Sequence, residues 1–189
     1  RRFNQPFGKV QWGLLSALLV LAPLASLFIG LRFSTVDTSG QSALPPQGVP
    51  LDPSSPSIMI FSALPWMLAA GMLGPIAAGL TGLLAGLTAA LWQTHTLFTP
   101  LEISLLATLF SAAVRQPYRT PIFRLLRHPF ASAVLAALLY PFLHLAITPF
   151  ITRGLLATRL DFALTNLQGA ALAIAIELLA AGLVAELVA

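Results

Sequence analysis

From Val10 to Leu31 the chain carries no charged side chain, and comparable apolar stretches recur to its end, broken mainly by proline, glycine and short polar loops. Crossing the roughly 30 Å hydrocarbon layer takes about 20 such residues in a helix. Only 8% of the 189 residues are charged and 57% are hydrophobic. A soluble domain is ordinarily about 25% charged, so this chain has too few charges to cover a water-facing surface. The expected fold class is all-α: a polytopic membrane helical bundle.

Six spans follow from the hydropathy pattern: Val10 to Phe33, Ser57 to Leu73, Gly74 to Trp92, Pro100 to Val114, Pro129 to about Ile151, and Asp161 to Ala189. The second is short and carries Pro65, and only Gly71 to Pro75 separates it from the third. Five spans with a re-entrant second segment is therefore the alternative. Loop charges favour six. Arg1, Arg2 and Lys9 precede the first span, and Arg115, Arg119, Arg124 and Arg127 follow the fourth. The 34–56 loop has Asp37 and Asp52 and no basic residue. Basic loops stay on the cytoplasmic side, so six spans put both termini in the cytoplasm. The loop with Arg153, Arg159 and Asp161 then lies outside, mildly against the rule. The expected location is the plasma membrane of a bacterium. The chain opens on Arg1-Arg2-Phe3 and stops at Ala189 within an apolar run. We therefore expect residues 1–189 to be one transmembrane domain of a longer chain that continues past 189.

Several function classes are disfavoured. The net charge of +4 sits in loops between spans rather than in a basic stripe with aromatics, so nucleic acid is not an expected partner. There is no cysteine, hence no disulfide framework and no thiolate chemistry. No histidine or carboxylate spacing matches a metal site, and no phosphate loop or nucleophile motif occurs. We expect no catalytic residue, metal or cofactor in this domain.

Gly74, Ala78, Gly82, Gly86 and Ala90 recur at every fourth position of the third span. In lipid such a small-residue ridge lets two helix backbones approach closely, and tight packing within the bundle is its first reading. Thr99-Pro100-Leu101-Glu102 has capping-box spacing, which accounts for Glu102; a ligand contact is the second reading. Glu177 lies deep in the sixth span, where an ionisable side chain is a functional candidate by default. Glu186 is expected near the inner boundary in water, His95 in a loop and His128 at the cytoplasmic boundary. Arg32, His95, Glu102, His144, Arg153, Arg159, Asp161, Asn166 and Gln168 all fall in the outer half, with Trp66 and Trp92, for which interface anchoring is the alternative. Under the long 34–56 loop they suggest an outward-facing cavity with a lid. Arg32, Trp66, Glu102, His144, Arg153 and Asn166 are its expected ligand-binding residues.

The six short spans, the long loop after the first, and the run Leu64 to Leu87 ("LPWMLAAGMLGPIAAGLTGLLAGL") resemble two related groups. One is the substrate-binding S components of energy-coupling-factor transporters; the other is the multi-span input domain of LytS-type sensor histidine kinases. The resemblance implies either a sensory input domain, coupled in cis to a cytoplasmic signalling region, or a substrate-binding transporter subunit. In S components small-residue ridges dock the coupling subunit. Here Ala22, Ser26 and Gly30 offer four-residue spacing in the first span, without a clean Ala-x-x-x-Ala. Expected partners are the lipid bilayer, a small-molecule ligand and a second copy in a homodimer.

Overall fold

The computed structural model describes residues 8–28, 31–32, 57–94, 96–118, 120–151 and 155–188. They form seven α-helices: α1 Lys9–Phe28, α2 Leu64–Met72, α3 Pro75–Ala89, α4 Thr99–Val114, α5 Pro121–Leu125, α6 Pro129–Ile151 and α7 Leu156–Val188. A π-helical turn, Ala90–Thr94, extends α3. A minimal antiparallel pair joins β1 (Leu31–Arg32) to β2 (Ser57–Ile58). Four helices are long and apolar enough to cross a membrane, over Lys9–Leu27, Pro75–Trp92, Pro129–Phe150 and Leu167–Val188, and α4 is a shorter apolar helix. Leucines and phenylalanines such as Leu21, Leu80, Leu138, Phe142 and Leu172 point outward, as a lipid-facing surface requires.

Proline punctuates this order. Pro65, Pro75, Pro100 and Pro121 sit in the first two positions of their helices, and Pro129 opens α6. There the missing N–H removes no helical bond. The same rule corrects the second expected span. Pro65 sits in the first turn of α2, where its missing N–H removes no helical bond, and the chain turns at Gly74, whose φ of 114° suits glycine. Between these limits only nine residues are helical, about 14 Å of rise. The rest of Ser57 to Leu73 is the β2 strand and a turn through Met59 to Ala63. Of the first expected span, Lys9–Phe28 is helical, and Leu31–Arg32 form β1 rather than helix. The last begins early, at Leu156 rather than Asp161; the Arg159 guanidinium donates to the Pro149 carbonyl of α6, 3.2 Å away, so the polar first turns are docked rather than frayed.

The small-residue ridge of α3 packs on α4. A Cβ on Gly82 would meet the Ala107 Cβ at 2.9 Å and the Ile103 carbonyl at 3.1 Å; one on Gly86 would meet the Pro100 Cα at 2.5 Å. Ala78, on the same face, is fully buried, and at the far end Gly74 lies against the Arg115 guanidinium. The core beside this contact is built from Trp66, Met67 and Ala70 of α2, Leu106, Ala107 and Phe110 of α4, Ala133, Ala136 and Tyr140 of α6, and Leu178 and Ala181 of α7. A second cluster ties Leu15 and Leu18 of α1 to Ala69, Leu73 and Ala77. Serines on α4 bond buried carbonyls of its neighbours: Ser111 to Ala70 at 3.1 Å and Ser104 to Gly79 at 3.0 Å.

Replacing Gly86 with alanine should force α3 from α4 and lower stability in detergent by about 1–3 kcal/mol, the usual cost of overpacking. Gly71→Ala, with no atom within 4 Å of the new methyl, should stay within about 0.5 kcal/mol. Thermal unfolding of the two purified variants makes the comparison, and equal losses would count against Gly86 as the closest approach.

Candidate functional site

Two carboxylates are buried, and each is held by an element distant in sequence. Glu177 lies at the middle of the Leu167–Val188 segment. Its Oε1 accepts the Met59 backbone N–H and its Oε2 accepts the Ser62 hydroxyl, both at 2.7 Å. Met59 and Ser62 belong to the turn between β2 and α2, so Glu177 fastens the start of the nine-residue helix. Non-helical backbone at membrane depth needs donors and acceptors from the protein, because lipid supplies none. A carboxylate there also complements the partial positive charge of a helix N-terminus. Its position on α7 follows from spacing: Ala173, Glu177, Ala181 and Ala185 are four residues apart and all buried.

Glu102, on the first turn of α4, is 6% exposed. It does not close a capping box. The helix begins at Thr99, its N-cap is Phe98 without a side-chain bond, and the Glu102 N–H donates to the Phe98 carbonyl. Glu102 is thus one position past the reach of a capping box, and its carboxylate faces α6 instead. Oε1 lies 3.6 Å from Nδ1 of His144. The Tyr140 hydroxyl is 3.4 Å from the same nitrogen, and the Tyr140 and His144 rings lie 5.6 Å apart at 30°. Thr99 joins Thr94 and Thr96 through hydroxyl contacts of 2.6 Å each.

Tyr140 and Ser62 are the members that sequence reading missed. The available signal was again fourfold spacing: Ser132, Ala136, Tyr140, His144 and Thr148 form one seam on α6, and all but the partly exposed His144 are buried. Thr148 closes it by donating to the His144 carbonyl at 2.7 Å.

The other expected site residues do not join this group. Trp66 is 2% exposed and packs edge-on against Phe110, with centroids 5.7 Å apart; it is a core residue, not an outer-end ligand contact or an interface anchor. Trp92 is exposed in the π turn. Of Arg32 and Asn166 only the backbone is described, and Arg153, His95 and the 34–56 lid lie outside the described residues. Glu186 is not simply solvated: it accepts the Phe130 N–H at 3.2 Å and meets His128 Nδ1 at 2.9 Å, tying the end of α7 to the start of α6.

The expected polar outward cavity is not what the described residues form around Glu102 and His144, whose side chains contact one another. A cavity of about 550 Å³ opens elsewhere, between α6 and α7, lined by Leu138, Pro141, Leu164, Leu172 and similar residues, with Gln168 its polar member. Among the described residues no group of three or more histidines and carboxylates is placed to hold a metal. The arrangement provides a latch between α7 and α2 and a carboxylate–imidazole–phenol contact between α4 and α6. Comparisons of the chain with family models, curated proteins and solved structures found no match.

Glu177→Ala should be the costliest change in this group. It leaves two donors without an acceptor, at about 1–3 kcal/mol for each buried group unsatisfied. Ser62→Ala should lose nearer 0.6 kcal/mol, a typical interhelical bond in a membrane. The double variant should cost little more than Glu177→Ala alone, since the pair shares one interaction. Unfolding in bicelles, run as a double-mutant cycle, measures all three; full additivity would separate Ser62 from Glu177.

Proposed function

We propose that this domain is a membrane-embedded sensory input module of a bacterial signalling protein, a histidine kinase or a similar receiver. It crosses the plasma membrane six times, and both ends face the cytoplasm. The second crossing is made by β2, the turn and the short α2 together. Lys9, Arg115, Arg124 and Arg127 then share the cytoplasmic side, in keeping with the charge rule.

The observation that carries this reading is α7. It runs unbroken over 33 residues, about 50 Å, from the outer side to the cytoplasmic end. About two-thirds of the way along it is bonded to the turn before α2 through Glu177. The helix also has polar ties to α6 at either end. The Glu177 latch to the turn before α2 has two discrete arrangements, latched and released, and a stimulus that favours one moves the helix end by a small shift. A ligand from the outer side, or a change in the bilayer, biases that equilibrium, and the domain passes the shift to a cytoplasmic region in cis, within a homodimer. The alternative is an S-component-like transporter subunit, which needs a free small-residue surface to dock its coupling partner. The α3 ridge is spent on α4, and Ala22 and Ser26 are buried as well, which favours the sensor.

Two measurements test the proposal. Because the chain has no cysteine, single cysteines report its sidedness cleanly. Thr120→Cys should be shielded from a membrane-impermeant maleimide in intact cells, whereas Leu97→Cys and Leu155→Cys should react; the reverse pattern would overturn the orientation. For signalling, α7 is joined in helical register to the cytoplasmic region of a dimeric kinase. Output should then vary with helical period as one, two or three residues are inserted at the junction, and shift with Glu177→Gln. Output indifferent to both changes would sink the sensor reading, and substrate uptake with a coupling subunit would establish the transporter.

A further inference from the structure

The described residues of the segment joining α4 to α6, 115–118 and 120–128, form a folded unit rather than a slack connection. The Arg127 guanidinium donates to the Tyr118 carbonyl at 3.2 Å, the Gln116 amide donates to the Phe123 carbonyl, and the Tyr118 and Phe123 rings lie 5.1 Å apart. The unit includes α5, and no α5 residue is buried.

Its surface has two properties that ordinarily exclude each other. Ile122 is 71% exposed, and Leu125 and Tyr118 are each 62% exposed, so its apolar side chains find little cover in the bundle. Beside them Arg115, Arg124 and Arg127 are exposed, and among the described residues no carboxylate pairs with any of the three. From Ile103 to Leu160 the sequence has no acidic residue at all. Glu186, which reaches this end of the bundle, is taken by His128 and the Phe130 N–H.

An acidic protein surface would match the arginines but leave Ile122 and Leu125 in water. The boundary of a bilayer satisfies both, with acyl chains for the apolar side chains and phosphates for the guanidinium groups. The flanking helices put the loop at that boundary, since α6 is long and apolar enough to span and α4 is an apolar helix ending at Val114. We infer that the 115–128 loop binds anionic phospholipid. Ile122 and Leu125 enter the headgroup–acyl boundary, and Arg115, Arg124 and Arg127 hold lipid phosphates. The inference rests on the membrane-spanning reading and is indifferent to whether the domain signals or transports.

The test uses the whole chain reconstituted in phosphatidylcholine vesicles, with spin-labelled phosphatidylglycerol or phosphatidylcholine as probe. Phosphatidylglycerol should associate at least about fivefold more strongly at low salt, the equivalent of about 1 kcal/mol from one engaged basic residue, and the preference should shrink as salt rises. An Arg124→Gln, Arg127→Gln double variant should lose most of it. An environment-sensitive fluorophore on Ile122→Cys should report an apolar medium. No preference for the anionic lipid, a preference unchanged in the double variant, or a fluorophore in water would each overturn the inference, the last in favour of an acidic protein partner. Maleimide access at Thr120 reads sidedness independently, so failure here leaves the crossing count to its own test.

Discussion

A peptide group inside hydrocarbon has no water to fall back on, so a break in a helix there must be repaired by another part of the chain. The turn from Met59 to Ala63, between β2 and α2, is non-helical backbone beside the apolar Leu167–Val188 segment, and Glu177 of that segment supplies the repair by accepting both the Met59 N–H and the Ser62 hydroxyl. Much else in the bundle depends on this repair. With the turn fixed, α2 can be short, Trp66 and Phe110 can meet in the core, and α7 acquires a defined height against the other helices. A buried carboxyl group would be costly with nothing to bond; here its cost is offset by the donors that would otherwise be orphaned.

Packing elsewhere uses the opposite device. Where Gly82 and Gly86 of α3 meet α4, they face backbone and an alanine methyl, with no long side chain between to adjust. Close contact of this kind gains dispersion energy over many small distances and tolerates little displacement. Gly182, whose Cβ would lie 2.7 Å from that of Ala133, repeats the device between α6 and α7. The domain thus combines backbone contacts that resist change with polar contacts that break one at a time.

The sequence made the backbone contacts easy to read and the polar contacts hard. Proline marks the first turns of α2 to α6, and the fourfold spacing of Gly74, Ala78, Gly82 and Gly86 traces the α3 face that α4 covers. Both are local patterns, set by the chain within a few turns. The depth of Glu177 was equally plain, but its partners were not, because Ser62 and Met59 lie more than a hundred positions away and nothing in a lone serine points to a distant carboxylate. Glu102 misled for a related reason. Its spacing from Thr99 fits a capping box, yet the helix starts one residue early and the carboxylate turns to α6. Trp66 misled through its type, since an aromatic near a helix end resembles an interface anchor until the core around it is assembled.

The contact between Gly86 and Pro100 also fixes the origin of a scale. It sets the first turn of α4, and therefore Glu102, with no flexible side chain between the two helices. His144 stands on a different helix, 3.6 Å away across the α4–α6 boundary. Displacement of α6 relative to the α3–α4 pair appears directly as a change in that separation, with little slack on the glycine side to absorb it. The carboxylate–imidazole gap thus lies between α6 and a pair of helices that glycine has locked together.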